Sequence, residues 1–342
     1  MENAFGAVSF AIPLQGDYRI SPFASAGMRG GRRDVRMITI EALKAFFIGV
    51  VEGLTEWLPI SSTGHMILVD EFVKLNVSPQ FLALFLVVIQ IGAICAVIIL
   101  YFEKLNPFSR RKTSEQRKGT WHLWGMVLIG CIPAAAVGLV ADDWVNRHFY
   151  RASVVAAMLI LYGVVFIVME RRNRRRLAEV KTGAGALGRH ARKHATDEEA
   201  SQALFRINRV DDIDAKTAVK IGCFQCLAII PGTSRSGAII IGSMLVGVSR
   251  TAAAEFAFFL AIPVMLGWGL VKAVKFLAAG LVMSQVEIVV LVVGVVTAFA
   301  VSVLSIRFLM GYIKTNDFMP FGWYRIVVGA IVLAYFGITG GL

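Results

Sequence analysis

The chain has 342 residues, 57% of them hydrophobic, with a mean hydropathy of +0.69. A soluble domain does not carry that much apolar surface, so the composition points to a polytopic membrane protein. The net charge of +12 does not argue for a nucleic-acid partner, because Lys and Arg sit in loops between apolar spans, where they mark the cytoplasmic side.

Residues 1–36 are polar and glycine-rich, with Arg29, Arg32, Arg33 and Arg36 near their end. They lack the apolar core of a signal peptide and read as a disordered extension or an early-assigned start, with Met37 opening the first apolar stretch. Six stretches, about 81–102, 122–141, 152–169, 253–271, 287–306 and 325–341, have the roughly 17–25 apolar residues that cross a hydrocarbon core. Loop 103–120, with Lys104, Arg110, Arg111, Lys112, Arg117 and Lys118, is expected in the cytoplasm. Loop 142–151 balances Asp142 and Asp143 against Arg147 and Arg151 and is expected outside. Residues 170–216 open with Arg171, Arg172, Arg174, Arg175 and Arg176 and read as a basic cytoplasmic linker, partly disordered. Loop 307–320, with Arg307 and Lys314, returns to the cytoplasm. Cys95, Cys131, Cys223 and Cys226 all lie in apolar segments and are expected to be free.

These directions leave two segments that must enter the membrane and turn back. Segment 217–250 starts and ends inside; segment 40–76 hands over to the span at 81–102 on the outer side, although the arginines of residues 29–36 oppose an outer start. The two are related: Leu58-Pro59-Ile60-Ser61-Ser62 aligns with Ile230-Pro231-Gly232-Thr233-Ser234 at an offset of 172. The same offset matches Phe81 to Ala253, each the start of a span. The expected fold is therefore an all-α polytopic membrane protein with an inverted-topology repeat. Each half, 37–169 and 217–342, is a re-entrant helical hairpin plus three transmembrane helices. Folds of this type place their sites at broken helices near the midplane.

Both breaks carry polar groups that a lipid-facing helix does not. A charge at the bilayer centre costs about 2.5–3.5 kcal/mol even on mild scales, so Glu52, Glu56 and Arg235 are expected to face each other or a wet cavity. Glu52 and Glu56, four residues apart, share a helix face; the pattern is read as a divalent-metal site or an acid/base pair tuned by burial, in preference to a structural pair, because Arg235 adds an opposite charge. His65 follows Ser61, Ser62, Thr63 and Gly64 and is a candidate nucleophile or general acid/base. In the second break, Pro231 fits the first turn of a new half-helix whose free N–H groups attract phosphate. Arg235 can bind phosphate in a bidentate manner, and Thr233, Ser234 and Ser236 add donors.

The segments Glu52-Gly-Leu-Thr-Glu56-Trp-Leu-Pro59-Ile-Ser61-Ser62-Thr63-Gly64-His65 and Gly222-Cys-Phe-Gln-Cys226-Leu-Ala-Ile-Ile-Pro231-Gly232-Thr233-Ser234-Arg235-Ser236-Gly237 resemble the two signature motifs of the undecaprenyl-diphosphatase family, the bacitracin-resistance type. The resemblance extends over about residues 38–341. It implies an inner-membrane hydrolase of bacteria, with its site open to the periplasmic side, that converts undecaprenyl diphosphate to undecaprenyl phosphate and inorganic phosphate. That reaction recycles the lipid carrier of peptidoglycan synthesis. It also implies a polyprenyl diphosphate substrate, surrounding membrane lipids, and a divalent cation, Mg2+ or Ca2+, held by Glu52 and Glu56. The catalytic set would be Glu52, Glu56, Ser62, His65 and Arg235, with Ser61, Thr63, Thr233, Ser234, Arg235 and Ser236 binding phosphate. A homodimer is left open. The chain departs from the family pattern at Ile239, where a threonine is usual, and at Leu86, where an acid often stands. Two rivals are weighed against this. A phosphatase of the acid-phosphatase superfamily would need a second, later histidine, and the chain has none after His194. A lipid flippase or transporter would suit the repeat and would release no phosphate.

Overall fold

The computed structural model describes residues 31–182, 204–280 and 282–339. Among these the chain is helical, with one isolated β-bridge between Ile207 and Val248. In chain order the helices are α1 (Gly31–Thr55), α2 (Ser62–Phe72), α3 (Pro79–Leu100), the single turn α4 (Phe102–Leu105), α5 (Ser114–Phe149), α6 (Ala152–Thr182), α7 (Ala215–Cys226), α8 (Arg235–Leu245), α9 (Arg250–Ala278), α10 (Gln285–Thr315) and α11 (Met319–Thr339). Six of them, α3, α5, α6, α9, α10 and α11, are long and apolar enough to span a bilayer, and each overlaps one expected span. The protein is a multi-pass membrane protein. The four cysteines are free.

The helices begin earlier than hydropathy places them because polar caps sit ahead of the apolar runs. Ser78 accepts from the Phe81 N–H with Pro79 in the first turn, and Thr113–Gln116 and Ser284–Glu287 form reciprocal capping boxes. Two helices run past the boundaries expected for them. Residues 31–36, assigned to the extension, are the first turns of α1, since no Gly or Pro separates Arg32 from Ile40; residues 1–30 lie outside the described residues. The basic linker starts as helix, because residues 170–182 are dominated by Arg, Glu, Leu and Ala, good helix formers, and α6 runs on to Thr182. Residues 183–203 lie outside the described residues, but the end of the linker is docked. The N–H groups of Arg206 and Ile207 bond to the Gly247 carbonyl, and Phe205, Ile207, Val210 and Ile213 are buried.

Small residues let the helices approach closely, the usual route to packing where lipid is as apolar as the side chains. On α1, Gly49 and Gly53 lie against α10: a Cβ on Gly49 would sit 2.7 Å from the Gly294 carbonyl, and one on Gly53 2.8 Å from that of Ala298. Gly222 of α7 abuts the Gly130 carbonyl of α5, and Gly163 of α6 meets Gly322 of α11. The broken segments therefore pack crosswise, α1 on α10 and α7 on α5. Toward one end, buried Glu170 of α6 accepts from Arg250 Nε at 2.9 Å and from the Phe318 N–H at 3.2 Å, fixing the starts of α9 and α11.

Candidate functional site

Each broken segment ends one helix and starts another through a strained serine. After α1 the chain turns through 56–61, and Ser61 precedes α2 with φ 75° and ψ 99°. After α7 comes a short 3-10 turn, and Ser234 precedes α8 with φ 72° and ψ 122°. These are the two non-glycine residues with positive φ among the described residues. Each helix that follows has 11 residues. The proline register paired Ser62 with Ser234, but the strained caps are Ser61 and Ser234, because the second break carries one more residue between its proline and its cap. Pro231 also lies ahead of the cap rather than in the first turn of α8, which is formed by Arg235, Ser236 and Gly237.

The breaks meet. Arg235 Nη2 donates to Glu56 Oε1 at 2.9 Å, and Ser62 Oγ donates to Glu56 Oε2 at 3.0 Å. Ser236 Oγ donates to the Glu56 backbone carbonyl at 3.3 Å. Glu56 is one residue past α1 but keeps its helical bond, its N–H donating to the Glu52 carbonyl at 3.0 Å, which holds both carboxyl-bearing residues on one face. Glu52 is 1% exposed, so it faces the protein interior as its charge requires. At the second break, Ser234 Oγ accepts from the Gly237 N–H at 3.2 Å and lies 3.2 Å from Ser236 Oγ.

Around this ion pair, several buried polar atoms have no partner among the described residues: Glu52 Oε1, Ser61 Oγ, Thr233 Oγ1 and Arg235 Nη1. Leaving such groups without a partner costs about 1–3 kcal/mol each, more when charged, so their gathering at two strained turns makes this the candidate place for a polar ligand. The side chain of Thr63, in the first turn of α2, lies outside the described residues.

His65 is apart from the ion pair. Its Nδ1 lies 2.7 Å from the Ser61 carbonyl and its Nε2 2.8 Å from Tyr324 Oη of α11, whose ring stacks on the imidazole. A carbonyl only accepts, so Nδ1 carries a proton and, in the neutral ring, Nε2 accepts from the tyrosine. Sequence reasoning missed both Tyr324 and its neighbour Arg325, which is fully buried and bonds to carbonyls of both breaks. The one signal was a lone arginine entering an apolar span.

Arg235 also lines an apolar groove of about 450 Å³ between α5, α7 and α9, walled by Cys131, Val137, Ile229, Pro263 and Val271. Gln225, whose buried Oε1 has no partner among the described residues, lies on the same wall. As to a metal, no group of three or more His, Cys, Asp or Glu side chains stands together among the described residues. Both Glu56 oxygens are engaged, while Glu52 Oε1 is unpartnered. A hard cation placed here would find an unpartnered carboxylate oxygen on Glu52 and would need substrate phosphate to complete its shell.

The family model for the bacitracin resistance protein BacA matches residues 45–331, which include both breaks. Curated relatives carry the name undecaprenyl-diphosphatase. That of Enterococcus faecalis is 48% identical over 299 residues, 87% of this chain and 99% of that protein. The Lactiplantibacillus plantarum protein is 49% identical over 297 residues, 87% of this chain and 98% of its own length. That of Desulfitobacterium hafniense is 50% identical over 301 residues, 88% of this chain and 98% of its own length.

Proposed function

The chain belongs to the bacitracin-resistance BacA family, and on that premise we propose that it hydrolyses undecaprenyl diphosphate to undecaprenyl phosphate and inorganic phosphate. It would work in the bacterial inner membrane with its site open to the periplasmic side, recycling the lipid carrier of peptidoglycan synthesis and so conferring bacitracin resistance. The observation that carries the reading is the chain Ser62–Glu56–Arg235, buried among unpartnered polar atoms at two broken helices. The apolar groove that reaches Arg235 suits a ligand with an anionic head and a prenyl tail.

The chemistry follows from these contacts. Arg235 Nη1, the hydroxyls of Ser61, Thr233, Ser234 and Ser236 and the first-turn N–H groups of α8 bind the terminal phosphate. Glu56 accepts the Ser62 proton as Oγ attacks the terminal phosphorus; the bond from phosphorus to the bridging oxygen breaks and undecaprenyl phosphate leaves. Water then hydrolyses the phosphoserine, releasing inorganic phosphate. The Ser62–Glu56 separation of 3.0 Å is within reach for such a transfer. His65, with both ring nitrogens engaged, is a less apt nucleophile than Ser62 and serves to fix the Ser61 turn or to move a proton through Nε2. A divalent cation, Mg2+ or Ca2+, held by Glu52 and Glu56 would neutralise phosphate charge.

The finer architecture is part of the proposal: two inverted repeats, 37–169 and 217–342, each a re-entrant hairpin plus three spans. Its support is the matched pair of strained caps, the equal lengths of α2 and α8, and the crosswise packing of α1 on α10 and α7 on α5. Purified protein should release phosphate from undecaprenyl diphosphate, and a chelator should stop it. Movement of the lipid across a bilayer with no free phosphate would instead support the transporter.

A further inference from the structure

We propose that Arg325 is the positioning residue of the site: one guanidinium grips the backbone of both breaks and holds their strained serine turns in register. The identity of the anion rests on the hydrolase reading above; the clamp itself rests on geometry.

Arg325 is 0% exposed, so it does not touch substrate. It sits in a membrane-spanning helix, where a cation is expected to find an acid. No carboxylate is bonded to it among the described residues. Its partners are carbonyls: Pro59 at 3.3 Å from Nη1, and Gly232 and Thr233, each at 2.9 Å from Nη2, with Met158 of α6 at 3.5 Å. The Tyr162 ring lies 5.5 Å from the guanidinium carbon. Pro59 belongs to the first break, Gly232 and Thr233 to the second, so a side chain on the last helix ties together segments far apart in sequence. A planar fork with five donors does this; an ammonium with three donors at one point does not.

The gripped carbonyls stand beside the strained residues. Thr233 directly precedes Ser234, Gly232 itself has φ 90°, and Pro59 is two residues before Ser61. Positive φ at a residue with a Cβ costs on the order of 1–3 kcal/mol and persists only where surrounding bonds over-determine it. Arg325 supplies such bonds at both places. It also aims the backbone: a trans peptide points its C=O and N–H in opposite directions. With the Thr233 carbonyl held on the guanidinium, the Ser234 N–H of the same peptide points away from it. A fixed N–H of this kind stabilises an anion because it needs no reorganisation when charge develops.

The test uses the purified full-length protein as wild type, Arg325→Lys and Arg325→Met. Phosphate release from a prenyl diphosphate gives kcat and KM, and protection from thermal unfolding by inorganic pyrophosphate gives anion binding without turnover. Arg325→Lys should stay folded yet lose about a hundredfold in kcat, the scale of a 1 Å misplacement. Its pyrophosphate protection should need a concentration at least tenfold higher. The loss in kcat should persist when the rate is counted per folded molecule, which a merely structural role does not predict. Wild-type kcat and protection in Arg325→Lys overturn the inference, even if Arg325→Met fails to fold. A wild-type kcat per folded molecule in Arg325→Lys, with only the folded fraction reduced, overturns it as well. A wild type that pyrophosphate protects but that releases no phosphate refutes the hydrolase and not the clamp; a wild type that pyrophosphate does not protect overturns the clamp.

Discussion

Glu56 serves two partners, and two substitutions separate them. One carboxylate oxygen accepts from Arg235 and the other from Ser62. Both side chains of the ion pair are nearly buried, at 9% exposure for Glu56 and 12% for Arg235. Glu56→Ala leaves the guanidinium buried without its acid, a loss of about 3–5 kcal/mol. That is a large share of the roughly 5–15 kcal/mol by which folded domains are stable. Glu56→Gln keeps the shape. Its amide oxygen can still accept from Arg235, but its NH2 group then faces Ser62 and cannot take a proton from it.

The Gln variant should therefore lose a bond worth about 1–3 kcal/mol in stability and retain its fold. Its turnover should drop about a hundredfold to ten-thousandfold, the usual yield of a general base. The measurement pairs a thermal unfolding scan with phosphate release per folded molecule. Both variants should lose turnover, and Glu56→Ala should lose more stability than Glu56→Gln. Should Glu56→Gln retain turnover within tenfold of wild type, Glu56 is not the base for Ser62.

Arg235→Lys should keep an ion pair with Glu56 but lose the second, phosphate-binding arm; KM and kcat should both worsen in a phosphate-release assay. Glu52→Gln should raise the concentration of divalent cation needed for half-maximal rate, read by titrating Mg2+ back into chelated enzyme; an unchanged titration removes Glu52 from the metal proposal. At the opposite extreme, Glu170→Ala should lower thermal stability by about 3–5 kcal/mol through its buried Arg250 partner while the surviving protein keeps its kcat. Gly322→Val should push α11 away from α6, where a Cβ would already lie 2.8 Å from the Gly163 carbonyl, and so displace Tyr324 and Arg325. Overpacking of this kind costs about 1–3 kcal/mol, and kcat should fall with it.

The sequence made the spans legible because apolar length is a coarse signal, insensitive to which neighbour a helix packs against. It also exposed Glu56 and Arg235, since opposite charges in apolar surroundings demand each other, and the two are bonded at 2.9 Å. Helix ends were less legible: α6 runs to Thr182 because an Arg-rich segment is both a good cytoplasmic marker and a good helix. Arg325 was hidden for a different reason. Its partners are backbone carbonyls, which every residue has, so no acidic residue elsewhere in the chain announces it. The strained serines were hidden likewise, because Ser61 and Ser234 look like ordinary caps until their φ is known. What charge patterning finds is side chains that need each other. A site held by an arginine gripping backbone becomes visible only when the carbonyls of both breaks are seen to converge on one guanidinium.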